Sequence, residues 1–133
     1  LKIHFSMIVS PSTLFAIFIG GGAGSVARFL VGEGISKISS YGFPLGTLLA
    51  NLLATALLAF ILIYSGEKWG RDSIMIPLLA IGFCGGFSTF STFSIDTMRL
   101  FQEGQTTFAI ANILISVLGC IGIGIVIFKT LAK

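Results

Sequence analysis

A block of small, hydroxyl and aromatic residues between Gly85 and Asp96 is the part of this chain best suited to chemistry. It reads GGFSTFSTFSID and lies largely within a run, residues 74–95, that carries no charge. Adjacent glycines and clustered Ser and Thr side chains weaken a helix, so we predict a break between residues 85 and 89. Irregular backbone at membrane depth occurs only where protein buries it or where it lines a polar cavity. The block therefore predicts a place where a small polar solute or ion is handled.

A broken helix offers ligands for ions of either sign. Its released carbonyl oxygens suit a hard cation such as Na⁺, whereas the N–H groups at a helix start suit an anion. Phe90 and Phe93 follow the break on one helix face, and the positive edges of aromatic rings can also meet an anion. Asp96, three residues further on, is either a hydrated capping residue or a functional acid.

Two other segments place polar or aromatic side chains at every fourth residue, which puts each set on one helix face. These sets are Thr47, Asn51 and Thr55 in one segment and Phe108, Asn112 and Ser116 in the other. An amide in hydrocarbon must bond to another helix or to something in a cavity. Hydrogen bonding between helices and the lining of a pore both remain open for these sets.

The first apolar segment combines closely spaced glycines with an arginine. Gly20 and Gly24 have the GxxxG spacing that lets another helix approach closely, and further glycines between them indicate an unusual neighbour. Arg28 continues the same face. An arginine here is costly unless it reaches the interface or finds a partner, so it is either an interfacial anchor or an electropositive mouth that collects anions.

Composition and segment lengths predict an all-α integral membrane protein. The chain has 133 residues, of which 55% are hydrophobic and 10% charged. A bilayer core about 30 Å thick needs about 20 helical residues, and four runs meet this length, at approximately 12–32, 45–64, 74–100 and 106–128. We predict one four-helix transmembrane channel subunit over residues 1–133, with the third helix broken in its middle. One short chain makes a thin pore wall, so we also expect a homo-oligomer.

The charges show only a weak positive-inside bias. With four spans, both termini and the link between the second and third helices share one side of the membrane. That side carries Lys2, Lys68, Arg71, Lys129 and Lys133, and the other carries Lys37 and Arg99, plus Arg28 if it lies near a helix end. The bias is small enough for insertion in both orientations, although short loops with few charges account for it equally well.

The residues argue against an enzyme. His4 is the single histidine, Cys84 and Cys120 fall inside spans as packing residues, and the chain has no nucleophile–base pair or metal-binding cluster. Permeation is the class we favour. The alternatives are a small four-span multidrug or cation exporter, which would need a carboxylate that the first span lacks, and a membrane assembly subunit, which leaves the polar faces unexplained.

Four blocks of sequence resemble one known family. They are residues 20–28 (GGGAGSVAR), 44–51 (PLGTLLAN), 82–93 (GFCGGFSTFSTF) and 112–116 (NILIS). Through these blocks nearly the whole chain resembles the Fluc/CrcB fluoride channels of microbes, and the third block is the most specific. The resemblance implies passive, selective export of F⁻ across the inner (plasma) membrane, which protects the cell from fluoride toxicity.

The resemblance also implies an assembly and a set of site residues. The assembly is an antiparallel, dual-topology homodimer with two pores and a central structural Na⁺ at its interface. The implied pore residues are Phe90, Phe93, Asn51 and Ser116, the implied vestibule residue is Arg28, and the Na⁺ ligands are the backbone carbonyls of Gly85 and Ser88. We add Thr47, Asn112 and Asp96 to the predicted pore.

Three positions depart from the family pattern. Asp96 stands where many members carry Glu, so a shorter side chain must reach the same polar track. Phe108 stands where a tyrosine is common, and a hydroxyl is lost. Ser88 replaces a threonine, which matters little if only its carbonyl binds a cation.

Overall fold

A computed structural model describes residues 9–38, 42–69 and 73–131, and within these ranges the chain forms helices and no strands. The elements are α1 (Pro11–Ile38), α2 (Leu45–Lys68), a π-helical segment (Ile76–Cys84), the single turn α3 (Gly85–Phe87), α4 (Phe90–Gln102) and α5 (Thr106–Leu131). The π-helical segment, α3 and α4 follow one another in the third span, Ile76–Gln102.

Four helical spans in the described ranges are long and apolar enough to cross a membrane. The predicted all-α class with four transmembrane helices is therefore confirmed. The antiparallel dimer and the single-domain organisation stay predictions. The charge bias relied partly on Lys2, Arg71 and Lys133, which, like His4, lie outside the described residues.

The predicted break in the third span is confirmed and falls on two residues. Ser88 (φ −77°, ψ 157°) and Thr89 (φ −155°, ψ 119°) have extended backbones between α3 and α4. Thr89 then caps α4, because its Oγ1 accepts a hydrogen bond from the N–H of Thr92 at 3.2 Å. The hydroxyls that weaken the helix at this point also start the next one.

The first half of the third span is π-helical, which we did not predict. Pro77 lies in its first turn, where a missing N–H is tolerated. Its small residues serve the contact with α1. A Cβ atom added to Gly82 would lie 2.9 Å from the carbonyl oxygen of Ile17, and one added to Gly86 would overlap the carbonyl oxygen of Gly21.

The glycines of α1 make the other half of this contact. A Cβ atom on Gly20 would overlap the carbonyl oxygen of Leu78, and one on Gly24 would overlap that of Phe83. The two helices therefore touch backbone to backbone. This confirms the close approach that the GxxxG spacing predicts, and the unusual neighbour is the π-helical segment.

Small buried residues also hold α2 against the third span. Ala50 and Ala54 pack around Phe87, and further along α2 Ile61 packs with Ala80 and Cys84. Many large apolar side chains on the outer faces are exposed, as expected of surfaces that face lipid. The buried side of α2 therefore lies beside the break.

Candidate functional site

The polar face of α2 is directed at the broken third span. Thr47 Oγ1 donates to Asp96 Oδ2 at 2.7 Å. One turn further along α2, Asn51 and Thr89 form a reciprocal pair, in which the Thr89 N–H donates to Asn51 Oδ1 at 2.7 Å and Asn51 Nδ2 donates to the Thr89 carbonyl at 3.2 Å. Thr55 Oγ1 donates to the Asn51 carbonyl within its own helix at 2.8 Å. This polar face therefore makes hydrogen bonds between helices at two levels.

Side chains take over the backbone N–H groups around the break. In a continuous α-helix the N–H of Thr89 would bond to the carbonyl of Gly85, and that of Thr92 to the carbonyl of Ser88. Instead these N–H groups donate to Asn51 Oδ1 and Thr89 Oγ1. The carbonyls of Gly85 and Ser88 thus lose their helical partners, which leaves hard oxygen ligands of the kind a small cation takes. In the described ranges, His, Cys, Asp and Glu side chains form no group of three or more that would hold a metal.

Aromatic and polar side chains meet in a cavity of about 260 Å³, which we call the phenylalanine cavity. It is lined by Asn51, Thr55, Ser88, Thr89, Phe90, Phe93, Ser116, Val117 and Cys120. The rings of Phe90 and Phe93 tilt toward each other, with centroids 5.6 Å apart and an interplanar angle of 40°. The Phe90 side chain is 79% exposed in the single chain. One copy of the chain therefore supplies only part of the wall around this ring.

The wall of this cavity on α5 is held in place by a buried amide. Asn112 is 1% exposed, and its Nδ2 donates to Thr97 Oγ1 of α4 at 2.8 Å. Its Oδ1 accepts a hydrogen bond from Ser116 Oγ at 3.3 Å. Asn112 thus lies behind the lining and orients Ser116, while Phe108 packs edge-on against Phe43 at 6.0 Å.

A second cavity, of about 330 Å³, surrounds Arg28, and we call it the arginine cavity. It is lined by Ser25, Arg28, Phe29, Gly32, Glu33, Gly46, Thr47, Thr89 and Thr92. Arg28 Nη1 lies 3.5 Å from Thr92 Oγ1, a long hydrogen bond. Arg28 Nε is buried and has no hydrogen-bond partner among the described residues. A guanidinium suits an anion that enters this cavity, which the Glu33 carboxylate also lines.

Hydroxyl groups connect the two cavities. Thr89 lines both of them, and its Oγ1 donates to Thr92 Oγ1 at 3.1 Å. Thr92 in turn accepts from Arg28, and the Thr89 backbone is bound to Asn51. A continuous line of polar groups therefore runs from the guanidinium to the break.

The predicted site residues fall into distinct places. Phe90, Phe93, Asn51, Ser116 and Ser88 share the phenylalanine cavity, whereas Arg28 and Thr47 line the arginine cavity. Asp96 is joined to the arginine cavity through Thr47. Gly85 lies outside both linings and is exposed, and Asn112 is buried behind Ser116. The roles assigned to these residues stay predictions.

Sequence reasoning did not single out Thr89, Thr92 or Cys120. Cys120, interpreted above as a packing residue, lines the phenylalanine cavity, whereas Cys84 is buried in the core. The spacing of four residues from Ser116 to Cys120 is the signal that would have found it. Thr89 could have been recognised as the residue that caps α4.

Comparisons with known proteins agree on one family. Residues 15–128 match the family model described as CrcB-like protein, Camphor Resistance (CrcB). A relative from Yersinia pseudotuberculosis, named fluoride-specific ion channel FluC 1, is 39% identical over 117 residues, which cover 88% of this chain and 91% of the relative. A relative from Escherichia fergusonii, named fluoride-specific ion channel FluC, is 41% identical over 106 residues, which cover 80% and 83% of the two chains.

Proposed function

The chain belongs to the CrcB-like family, and from this premise we propose that it is a passive, fluoride-selective channel rather than an enzyme. The names of its relatives supply the solute. The observation that carries the proposal is the phenylalanine cavity, where two phenylalanine rings, an amide and hydroxyls meet beside a broken membrane helix. Such groups suit a small anion that has to exchange its water for protein donors.

The phenylalanine cavity offers donors of intermediate strength. The edges of Phe90 and Phe93 carry partial positive charge. An amide has two N–H donors, so Asn51 keeps one for an anion while the other holds the Thr89 carbonyl. Ser116 would turn its O–H from Asn112 to the anion. Conduction needs binding that is strong enough for entry and weak enough for release, and none of these groups carries a full charge.

The arginine cavity serves as the entrance. The Arg28 guanidinium in the lining supports a vestibule that attracts anions by its positive charge, beside the Glu33 carboxylate of the same lining. Thr92, Thr89 and Asn51 then provide a polar route from this vestibule to the phenylalanine cavity. Thr47 and Asp96 form the neighbouring part of the polar track, where the hydroxyl of Thr47 reaches the shorter acid.

A structural Na⁺ at the break completes the proposal. The residues fit a hard cation, because the N–H groups that would occupy the carbonyls of Gly85 and Ser88 are bound elsewhere. Two copies of the chain would each contribute these two carbonyls, and the resulting set of oxygens would hold the ion. Its charge would lower the cost of an anion in a medium of low dielectric.

The assembly that fits these sites is an antiparallel homodimer with two pores in the inner (plasma) membrane. The exposed ring of Phe90 and the exposed Gly85 support a second copy that covers the break. Fluoride would leave the cell down its gradient, which protects the cell from fluoride toxicity.

Fluoride efflux from liposomes tests the function. Liposomes are loaded with KF, the purified protein is incorporated, and a fluoride electrode follows release after a K⁺ ionophore is added. We expect rapid F⁻ release, and no Cl⁻ release from matched vesicles loaded with KCl. Absence of F⁻ release from folded protein would contradict the proposal and favour the exporter or assembly alternatives, and equal Cl⁻ release would contradict the selectivity.

A further inference from the structure

The Asn51 amide replaces a helical hydrogen bond at the break. The N–H of Thr89, which would bond to the Gly85 carbonyl in a continuous helix, donates to Asn51 Oδ1 at 2.7 Å. Asn51 Nδ2 donates back to the Thr89 carbonyl at 3.2 Å. One side chain from α2 thus binds both polar backbone groups of the residue that ends the break.

We propose that Asn51 is the positioning residue of the sodium site, because its hold on the Thr89 N–H keeps the Gly85 carbonyl open to Na⁺. This inference rests on the proposed function, which supplies the ion. Ser88, which bears the second carbonyl, has an extended backbone and directly precedes Thr89, so the direction of its carbonyl depends on the same anchor. Asn51 therefore connects the anion pathway to the cation site through one amide group.

The requirement is for an acceptor in the plane of the Thr89 peptide. A side chain without Oδ1 would leave the N–H of the buried Thr89 unsatisfied or return it to the Gly85 carbonyl, and an unsatisfied buried N–H destabilises the fold. The returned bond would compete with Na⁺ for the oxygen. Groups that orient metal ligands without touching the metal change its affinity by about 10- to 100-fold when they are removed.

The experiment measures the thermal unfolding midpoint of the full chain in detergent as a function of Na⁺, without fluoride. N-methyl-D-glucamine chloride replaces NaCl to keep the ionic strength constant. In Asn51→Ala we expect the Na⁺ concentration for half-maximal stabilisation to rise by about tenfold or more. Asn51→Asp keeps the acceptor oxygen, so its half-maximal concentration should lie at or below that of the unmutated chain.

Asn112→Ala is the matched control. Asn112 is also an asparagine that bonds between helices, to Thr97 and Ser116, but it does not touch the break. Its loss should lower the unfolding temperature, while the Na⁺ concentration for half-maximal stabilisation stays unchanged.

The outcomes separate this inference from the channel proposal. An unchanged Na⁺ dependence in Asn51→Ala, or an equal shift in Asn112→Ala, would overturn the positioning role. If Asn51→Ala does not fold, a half-maximal concentration in Asn51→Asp well above that of the unmutated chain would overturn it. Lack of Na⁺ stabilisation in the unmutated chain would overturn both this role and the sodium site. The channel itself is measured separately by fluoride efflux.

Discussion

The two phenylalanines after the break have different surroundings. Phe90 is mostly exposed in one copy of the chain, whereas Phe93 is half-buried. Both line the same cavity, so a solute in it would meet both rings. Aliphatic side chains at these positions would fill the space without the positive edge.

Phe90→Ile and Phe93→Ile should each lower fluoride efflux by about tenfold. Aromatic pairs contribute about 0.5–1.5 kcal/mol through the charge distribution of their rings. If a ring edge stabilises the anion by the upper part of this range, about 1.4 kcal/mol, its loss changes a rate tenfold. Efflux from KF-loaded liposomes measures the effect, with equal amounts of folded protein verified by size-exclusion chromatography.

Phe60→Ile is the control for these two variants. Phe60 is 45% exposed on α2 and stacks on Tyr64 with ring centroids 4.9 Å apart, outside both cavity linings. Its replacement should leave efflux unchanged. If Phe90→Ile and Phe93→Ile both conduct like the Phe60 variant, ring edges do not carry the anion.

Residue spacing alone predicted which helix face carries Asn51, but not the group to which its side chain forms hydrogen bonds. The repeat of four residues showed that Thr47, Asn51 and Thr55 share a face, since helix periodicity is a local property. The partner of Asn51 is a backbone peptide of the third span. Every residue has a backbone peptide, so the residue types do not show which one Asn51 binds. The pairing depends on the relative height of two helices, which tertiary packing decides.

At the scale of elements, the contact between α1 and the third span depends on individual glycines. Gly20 faces the Leu78 carbonyl with no room for a Cβ atom, whereas the position of Gly22 is open, with no atom within 4 Å of an added Cβ. The two glycines lie two residues apart in the same helix, so the sequence around them is nearly the same. Only the first is therefore required by packing.

Gly20→Ala should lower stability by about 1–3 kcal/mol, the usual cost of overpacking a filled interior. Gly22→Ala should be neutral or slightly stabilising, because alanine favours a helix over glycine. Thermal unfolding of the purified variants in detergent compares them. If both variants lose the same amount of stability, α1 requires glycine for its backbone flexibility and not for the close approach of the third span.

The break was predictable and the π-helical segment was not. Adjacent glycines followed by hydroxyls weaken a helix through local effects, and these effects are visible in residue types. The π-helical segment has apolar residues like those of any membrane helix. Its close contact with α1 joins residues far apart in the chain, which residue types alone do not show.

At the scale of the whole molecule, the chain exposes apolar surface on every outer face and has few charges to orient it. Among the described side chains, Lys129 lies at the end of one span and Lys37 and Arg99 at the ends of others. A balance this close gives no firm preference for one orientation. Composition does not distinguish an apolar face that meets lipid from one that meets a second copy, so the homodimer stays a prediction.

Reporter fusions test the predicted dual topology. A C-terminal fluorescent protein that matures only in the cytoplasm and a C-terminal alkaline phosphatase active only outside should both give signal. Adding two lysines after residue 131 should raise the first signal and lower the second, since positive charge favours the cytoplasmic side. Activity of one reporter alone, unaltered by the lysines, would contradict insertion in both orientations.

A substitution in the glycine contact between α1 and the third span cannot be compensated by a smaller side chain on the opposite helix. Where side chains fill an interface, a damaging substitution can be relieved by a smaller residue opposite it. Gly20 and Gly24 face carbonyl oxygens of the main chain, and no codon change shortens a carbonyl. A second substitution on the opposite helix therefore cannot make room for a side chain at Gly20 or Gly24. We expect these two positions to tolerate fewer substitutions during evolution than the neighbouring apolar surface.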